Sequence, residues 1–150
     1  MDAELNESWF GDVVQCEDRI VSQSRALLPA DSRGQVQRKV DEIDEILSPL
    51  GLQTRLVVVE RANSLALYFI CMTLAALMSL RDQWRSQQLR DIVQELFTFL
   101  SGATRRVWIK RLIWPLSDYE RCLGFFSSVQ GKHTILPYIY HFTTHEATWL

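Results

Sequence analysis

The residue types of a thiol catalytic triad occur together in Cys122, His133 and Asp118. Cys122, however, falls on the apolar stripe of its predicted helix, beside Leu123 and Phe126. A thiol buried among apolar side chains is usually unreactive. The sequence also contains no G-x-S-x-G, P-loop or dinucleotide-binding motif. We therefore predict no catalytic residue and no enzyme activity.

Three histidines near the end of the chain are the most obvious candidate metal ligands: His133, His141 and His145. On a helix, the spacing of His141 and His145 would place two imidazoles on one face. The segment is rich in threonine and aromatic residues, Pro137 precedes the pair, and no third ligand stands nearby. We interpret these histidines as surface residues and predict no metal site and no cofactor.

Residues 105–114 combine four cations, Arg105, Arg106, Lys110 and Arg111, with two tryptophans interleaved among them. Such a mixture can bind RNA on a sheet, because bases stack on rings while cations hold phosphates. Strict strand alternation, however, places a single cation in an apolar row: Trp108, Lys110, Leu112 and Trp114. A strand partly covered by a helix explains this row equally well, and the RNP aromatic motif is absent. The sequence therefore disfavours nucleic-acid binding.

The composition is that of a globular domain. The 150 residues are 47% hydrophobic and 23% charged, and the net charge of -2 provides no general attraction to nucleic acids or anionic membranes. Three widely spaced cysteines, Cys16, Cys71 and Cys122, match no zinc or redox motif. The acidic N-terminus lacks the features of a signal peptide. We therefore expect a reduced, cytoplasmic protein.

Hydrophobic periodicity places eight elements along the chain. Residues 12–50 form a predicted helical hairpin, interrupted at Pro29 and resumed at a Ser32/Gln35 capping box. Two strands follow, residues 52–61 with Leu52, Thr54, Leu56 and Val58 on one face, and the apolar residues 65–71. Thr73 then caps a helix carrying Leu74, Leu77 and Met78, and the next helix carries a regular stripe from Leu89 to Leu100, ending at Gly102. A strand at 105–114 precedes a helix that starts at a Ser117/Glu120 capping box and ends at Gly131.

This order, α-α-β-β-α-α-β-α, predicts an α+β fold, with a mixed or antiparallel sheet of three to four strands and helices packed on one face. We expect one domain over residues 1–131 and a tail over 132–150 that contributes an edge strand near 135–142 or ends the chain loosely. Phe69 and Leu96 are predicted to be buried and to face one another between sheet and helix.

The uncharged run over residues 65–80 supports an alternative, in which a small protein is anchored by this segment in a membrane. A membrane-spanning helix needs about 17 to 25 apolar residues, and this run lies at or below the lower end of that range. It also divides into a strand and a helix that continues into polar residues. The sequence therefore favours a domain without a membrane span.

Residues 52–128 resemble the TRADD-like N-terminal domain family, named after the death-domain adaptor of tumour-necrosis-factor receptors. The matching strand and first helix contain Ser64, Leu65, Leu67, Phe69, Cys71, Thr73, Leu74 and Leu77. The following helices match at Trp84, Ser86, Leu89 and Leu96, and later at Asp118, Tyr119, Cys122 and Leu123. In place of the glycine that usually follows the Trp-containing helix, this chain has Gln87.

The resemblance implies a non-enzymatic adaptor domain of a death-signalling or innate-immune protein. Such a domain binds another protein or self-associates, and it needs no small-molecule substrate. The sequence does not identify partner-binding residues, but aromatic residues dominate the energetics of interfaces. The candidates for exposed contacts are Trp9, Phe10, Trp108 or Trp114, and the segment 138–142.

Overall fold

A four-stranded antiparallel sheet organises the protein. The computed structural model describes residues 1–5, 13–28, 37–61, 64–102 and 106–128. The strands are β1 (Asp2–Leu5), β2 (Thr54–Arg61), β3 (Leu65–Cys71) and β4 (Ile109–Ile113), and their order in the sheet is β2-β3-β1-β4. The helices are α1 (Val13–Leu27), α2 (Gln37–Leu47), α3 (Leu74–Arg85), α4 (Gln88–Ser101) and α5 (Leu116–Ser128), and a 3₁₀ turn at Ser48–Leu50 follows α2.

The predicted α+β class and the order of the eight predicted elements are confirmed. The fourth strand, however, is β1 at the start of the chain, which the sequence pattern did not indicate. Its residues, Asp-Ala-Glu-Leu, have low strand propensity. The strand forms because it pairs on both sides, with Ala3 opposite Leu65 of β3 and opposite Leu112 of β4.

Strands β2 and β3 pair along their whole length, from Thr54 opposite Cys71 to Arg61 opposite Leu65. A register shift between Leu56 and Val58 interrupts the alternation of side chains. For this reason the predicted shared face of β2 is wrong beyond Leu56. It is also wrong at Leu52, which lies in the turn before β2 and is 92% exposed. Thr54 and Leu56 are buried, whereas Val58 is exposed.

One hydrophobic core joins a face of the sheet to the helices. It contains alternate residues of β3 together with the apolar stripe of α4 and residues of α1, α3 and α5. Phe69 and Leu96 both belong to this core and are fully buried, as predicted. The core therefore follows the layering that the sequence predicts.

Local backbone chemistry sets the ends of α3 and α4. The Thr73 hydroxyl oxygen accepts a hydrogen bond from the Ala76 amide at 3.0 Å, which confirms the predicted N-cap of α3. Gly102 ends α4 in the left-handed conformation, also as predicted. Between the two helices Gln87 has a φ of +70°, a region in which glycine is free of strain and other residues are uncommon.

The apolar run over residues 65–80 is divided between β3 and α3. Within the described ranges, no helix combines the length and the hydropathy required to cross a bilayer. The run instead supplies buried residues to the core, among them Leu67, Leu77 and Leu80.

Helix α5 begins earlier than its predicted capping box. It starts at Leu116, and the Pro115 carbonyl accepts hydrogen bonds from the amides of Asp118 and Tyr119. Ser117 therefore lies in the first turn instead of at the N-cap. Several other predicted features lie outside the described residues: Trp9, Phe10, the Ser32/Gln35 box, Gly131 and the tail from residue 132 onward, with its possible strand.

Candidate protein-interaction surface

A bulge in β4 determines where the two tryptophans that flank this strand lie. Glu4 of β1 pairs with Arg111, and the next residue, Leu5, pairs with Ile109, so that Lys110 is an extra residue in β4. Such a bulge moves the following side chains to the opposite faces. As a result Trp108 is exposed, whereas Trp114 is buried in the core. The single row predicted for Trp108, Lys110, Leu112 and Trp114 is therefore wrong.

Helix α4 fixes the backbone on both sides of Trp108. The Val107 amide donates a hydrogen bond of 2.9 Å to Thr98 Oγ1, and the Ile109 amide donates one of 2.8 Å to Gln94 Oε1. Gln94 is itself buried. Hydrogen bonds to backbone groups on either side hold the main chain at Trp108 in a defined position.

Trp108 is 51% exposed, more than any other aromatic residue in the described part of the chain. The Arg106 guanidinium carbon lies 5.2 Å from the centre of that ring. A cation at this distance is attracted to the negative face of the indole. The surface therefore exposes a large apolar ring with a guanidinium stacked against it.

Two further cations extend this surface, and both hold the carboxylate of Glu4. Arg111 donates hydrogen bonds of 2.9 and 2.6 Å to Oε2, and Lys110 Nζ lies 3.3 Å from Oε1. The hydrogen bond from Arg111, with a smaller contribution from Lys110, lowers the pKa of Glu4, although partial burial opposes this effect. We refer to Arg106, Trp108, Lys110 and Arg111, together with Glu4, as the Trp108 surface.

The other end of β4 is closed by aromatic packing. Trp114 is 1% exposed and meets the rings of Trp84 and Tyr119 edge to face, at centroid distances of 6.2 and 5.6 Å. The Trp84 indole also donates a hydrogen bond of 2.9 Å to the Leu112 carbonyl. The Arg81 guanidinium carbon also lies 4.7 Å from the centre of the Tyr119 ring.

The start of β1 lies beside this closed end, because Asp2 is paired with Ile113. The Met1 α-amino group donates a hydrogen bond of 3.0 Å to the Leu67 carbonyl, and its burial lowers its pKa to about 4, against the opposing charges of Asp2 and Asp118. Asp2 is buried without a hydrogen-bond partner for either carboxyl oxygen, and this burial raises its pKa.

The residues of the predicted thiol set do not form a described site. Cys122 and Asp118 are both buried, as expected for Cys122, and His133 lies outside the described residues with His141 and His145. Cys71 is also buried, which raises the pKa of its thiol to about 11. In the described part of the chain, no three histidine, cysteine, aspartate or glutamate side chains are grouped so that they could hold a metal ion.

A second apolar surface lies on α3. Leu74 and Met78, one helical turn apart, are exposed, and Met78 reaches 50% exposure. The sequence predicted apolar positions here but did not indicate that they face outward. This pair carries no charged group of its own.

The Trp108 surface was only partly visible in the sequence. Trp108 was a candidate for exposure, and Arg106, Lys110 and Arg111 were recognised as basic. Glu4 was missed because nothing in the sequence places β1 beside β4. Comparisons of this chain with protein-family models, with curated proteins and with solved structures found no match.

Proposed function

We propose that this chain is a non-enzymatic protein-binding domain of the adaptor type, acting inside the cell in a death-signalling or innate-immune pathway. The observation that carries the proposal is the exposure of Trp108 on a backbone anchored from both sides. Tryptophan and arginine are the residues most enriched among those that dominate binding energy at interfaces. The resemblance of residues 52–128 to TRADD-like N-terminal domains supports the same class of function and the cytoplasmic location.

The anchoring matters because ordering a side chain on binding costs free energy. Trp108 is held between two hydrogen-bonded amides and stacks with Arg106. A partner therefore contacts an indole ring that is carried by an already ordered main chain. An exposed tryptophan does not stabilise the fold in proportion to its size, which makes a binding role the better explanation for its position.

The test is affinity capture from the native cells with in-cell cross-linking, comparing the wild-type chain with Trp108→Ala. We expect at least one protein to be recovered reproducibly with the wild type and to be lost with the variant. Met78→Ala is the matched control, because Met78 has nearly the same exposed fraction on a different surface. This control should retain the partner.

Other outcomes contradict the proposal in distinct ways. Recovery of RNA or lipid without a reproducible protein would remove the protein-binding function. Loss of the partner with Met78→Ala and its retention with Trp108→Ala would move the interface to α3. Circular dichroism melts of both variants establish that each is folded.

A further inference from the structure

We propose that the Trp108 surface binds an acidic peptide segment of the partner, in which carboxylates engage Arg106, Lys110 and Arg111 while an apolar side chain packs on Trp108. This inference rests on the proposed function and adds the chemistry of the partner. It is drawn from the charge of the surface and from the way in which the chain already binds a carboxylate of its own there.

Glu4 demonstrates that the surface accepts a carboxylate. Its two oxygens are held by Arg111 through Nε and Nη2 and by Lys110 through Nζ. The side chains of Lys110 and Arg111 nevertheless remain more than half exposed. With Arg106, the surface carries three cations against one carboxylate. The remaining positive charge complements an acidic segment.

The partner is expected to lie on the outward side chains of β4 instead of extending the sheet. β4 is the last strand on its side of the described sheet, a position open in principle to strand addition. Here, however, the amides of Val107 and Ile109 donate to α4 side chains, and the Leu112 carbonyl accepts from Trp84. These three backbone groups are therefore not available to a new strand.

A nucleic acid is the less suitable ligand for the same surface. Binding to phosphates gains affinity from many simultaneous cation contacts. Two of the three cations are here bonded to Glu4, one ring is exposed, and the whole chain has a net charge of -2. An acidic peptide needs only one or two carboxylates beside an apolar side chain.

The experiment is selection from a displayed random-peptide library on the full 150-residue chain, in parallel with Arg106→Glu and Trp108→Ala. We expect the wild type to enrich peptides with an excess of Asp and Glu around an aromatic or aliphatic residue. Arg106→Glu should weaken the binding of representative synthetic peptides about five- to tenfold, because an attractive exposed charge pair becomes repulsive. Peptides in which Gln replaces Glu should bind the wild-type chain about as weakly as the acidic peptides bind Arg106→Glu. Raised salt should weaken the binding of the acidic peptides to the wild type.

Each remaining outcome overturns the inference. If no peptide is enriched, or if the enriched peptides have no acidic excess, the surface does not select carboxylates. If a single-stranded thymine oligonucleotide binds more tightly than the acidic peptides, the ligand is a nucleic acid. If a captured protein partner depends on Trp108 but not on Arg106, the proposed function remains and the acidic chemistry is wrong. Thermal melts show whether Arg106→Glu is folded.

Discussion

Trp108 and Trp114 belong to the same short segment but have opposite surroundings. Trp114 is 1% exposed between Trp84 and Tyr119, whereas Trp108 is 51% exposed and contacts Arg106. Without a bulge, residues separated by an even number of positions would share a face of the sheet. The extra residue Lys110 breaks this rule and separates the two rings. A single bulge thereby lets the segment around β4 contribute both to the core and to the proposed binding surface.

The bulge also accounts for the charge of the exposed end. Lys110 and Arg111 are neighbours in sequence and would point to opposite faces in a regular strand. Here both reach Glu4. The same local feature therefore exposes Trp108 and turns two neighbouring cations toward Glu4. For this reason the binding role is proposed for the exposed end of β4, whereas the buried end belongs to the core.

The largest expected difference between the two ends is in stability. Trp114→Ala should lower the free energy of unfolding by about 3–5 kcal/mol, because it leaves a cavity between Trp84 and Tyr119. Trp108→Ala should change it by less than about 0.5–1 kcal/mol, since half of this side chain is already in water. Urea unfolding of the two variants provides the comparison. Equal losses would contradict the assignment of separate roles.

A second expected effect belongs to the buried end, where the Met1 α-amino group lies. Its pKa is lowered from 8.0 to about 4, so the unfolded chain binds more protons than the folded chain between these pH values. Stability should therefore rise with pH across this window, by at most about 1.4 kcal/mol per pH unit. Asp2 acts in the opposite direction, because its raised pKa stabilises the fold at low pH and this contribution is lost as pH rises.

Direct titration of the labelled Met1 amine by NMR separates this group from the histidines. We expect a midpoint near 4 in the folded chain. A midpoint near the ordinary value would show that the amine is in water. With Asp2→Asn, stability measured by urea unfolding should rise more steeply between pH 4 and 8, since the opposing carboxyl is removed.

Sequence periodicity predicted well the elements whose signals are local. The stripe of α4, the apolar run of β3 and the caps at Thr73 and Gly102 all have local causes that a sequence displays. The errors have non-local causes. β1 is a strand only because β3 and β4 flank it, and it is this pairing that brings Glu4 to the site. The bulges in β2 and β4 depend on pairing registers that alternation alone does not contain.

An intermediate effect is expected where α4 holds the backbone beside Trp108. Gln94→Ala removes the acceptor of the Ile109 amide and should cost about 1–3 kcal/mol, the range for leaving a buried donor unsatisfied. The Ile109 amide should also exchange faster with deuterium. Gln88→Ala, at an exposed position of the same helix, is the control and should alter neither property. Unchanged protection of Ile109 would show that Gln94 does not anchor this strand.

The sharpest test of the exposed end, with only a small expected change in stability, comes from Glu4→Gln. Glu4 is partly exposed and its cations are more exposed still, so the loss of its charge should alter the free energy of unfolding by less than about 1 kcal/mol. The affinity for acidic peptides, in contrast, should increase. Lys110 and Arg111 lose an internal competitor, and acidic peptides should bind about two- to fivefold more tightly.

This gain should disappear at raised salt, because it arises from exposed charges. Glu95→Gln removes one negative charge from an exposed position on α4 and therefore controls for the change in net charge. Fluorescence anisotropy with the selected acidic peptides measures all three chains. If Glu4 has a purely structural role, Glu4→Gln should bind the peptides more weakly or equally well. Tighter binding in this variant alone would show that Lys110 and Arg111 bind the acidic peptides.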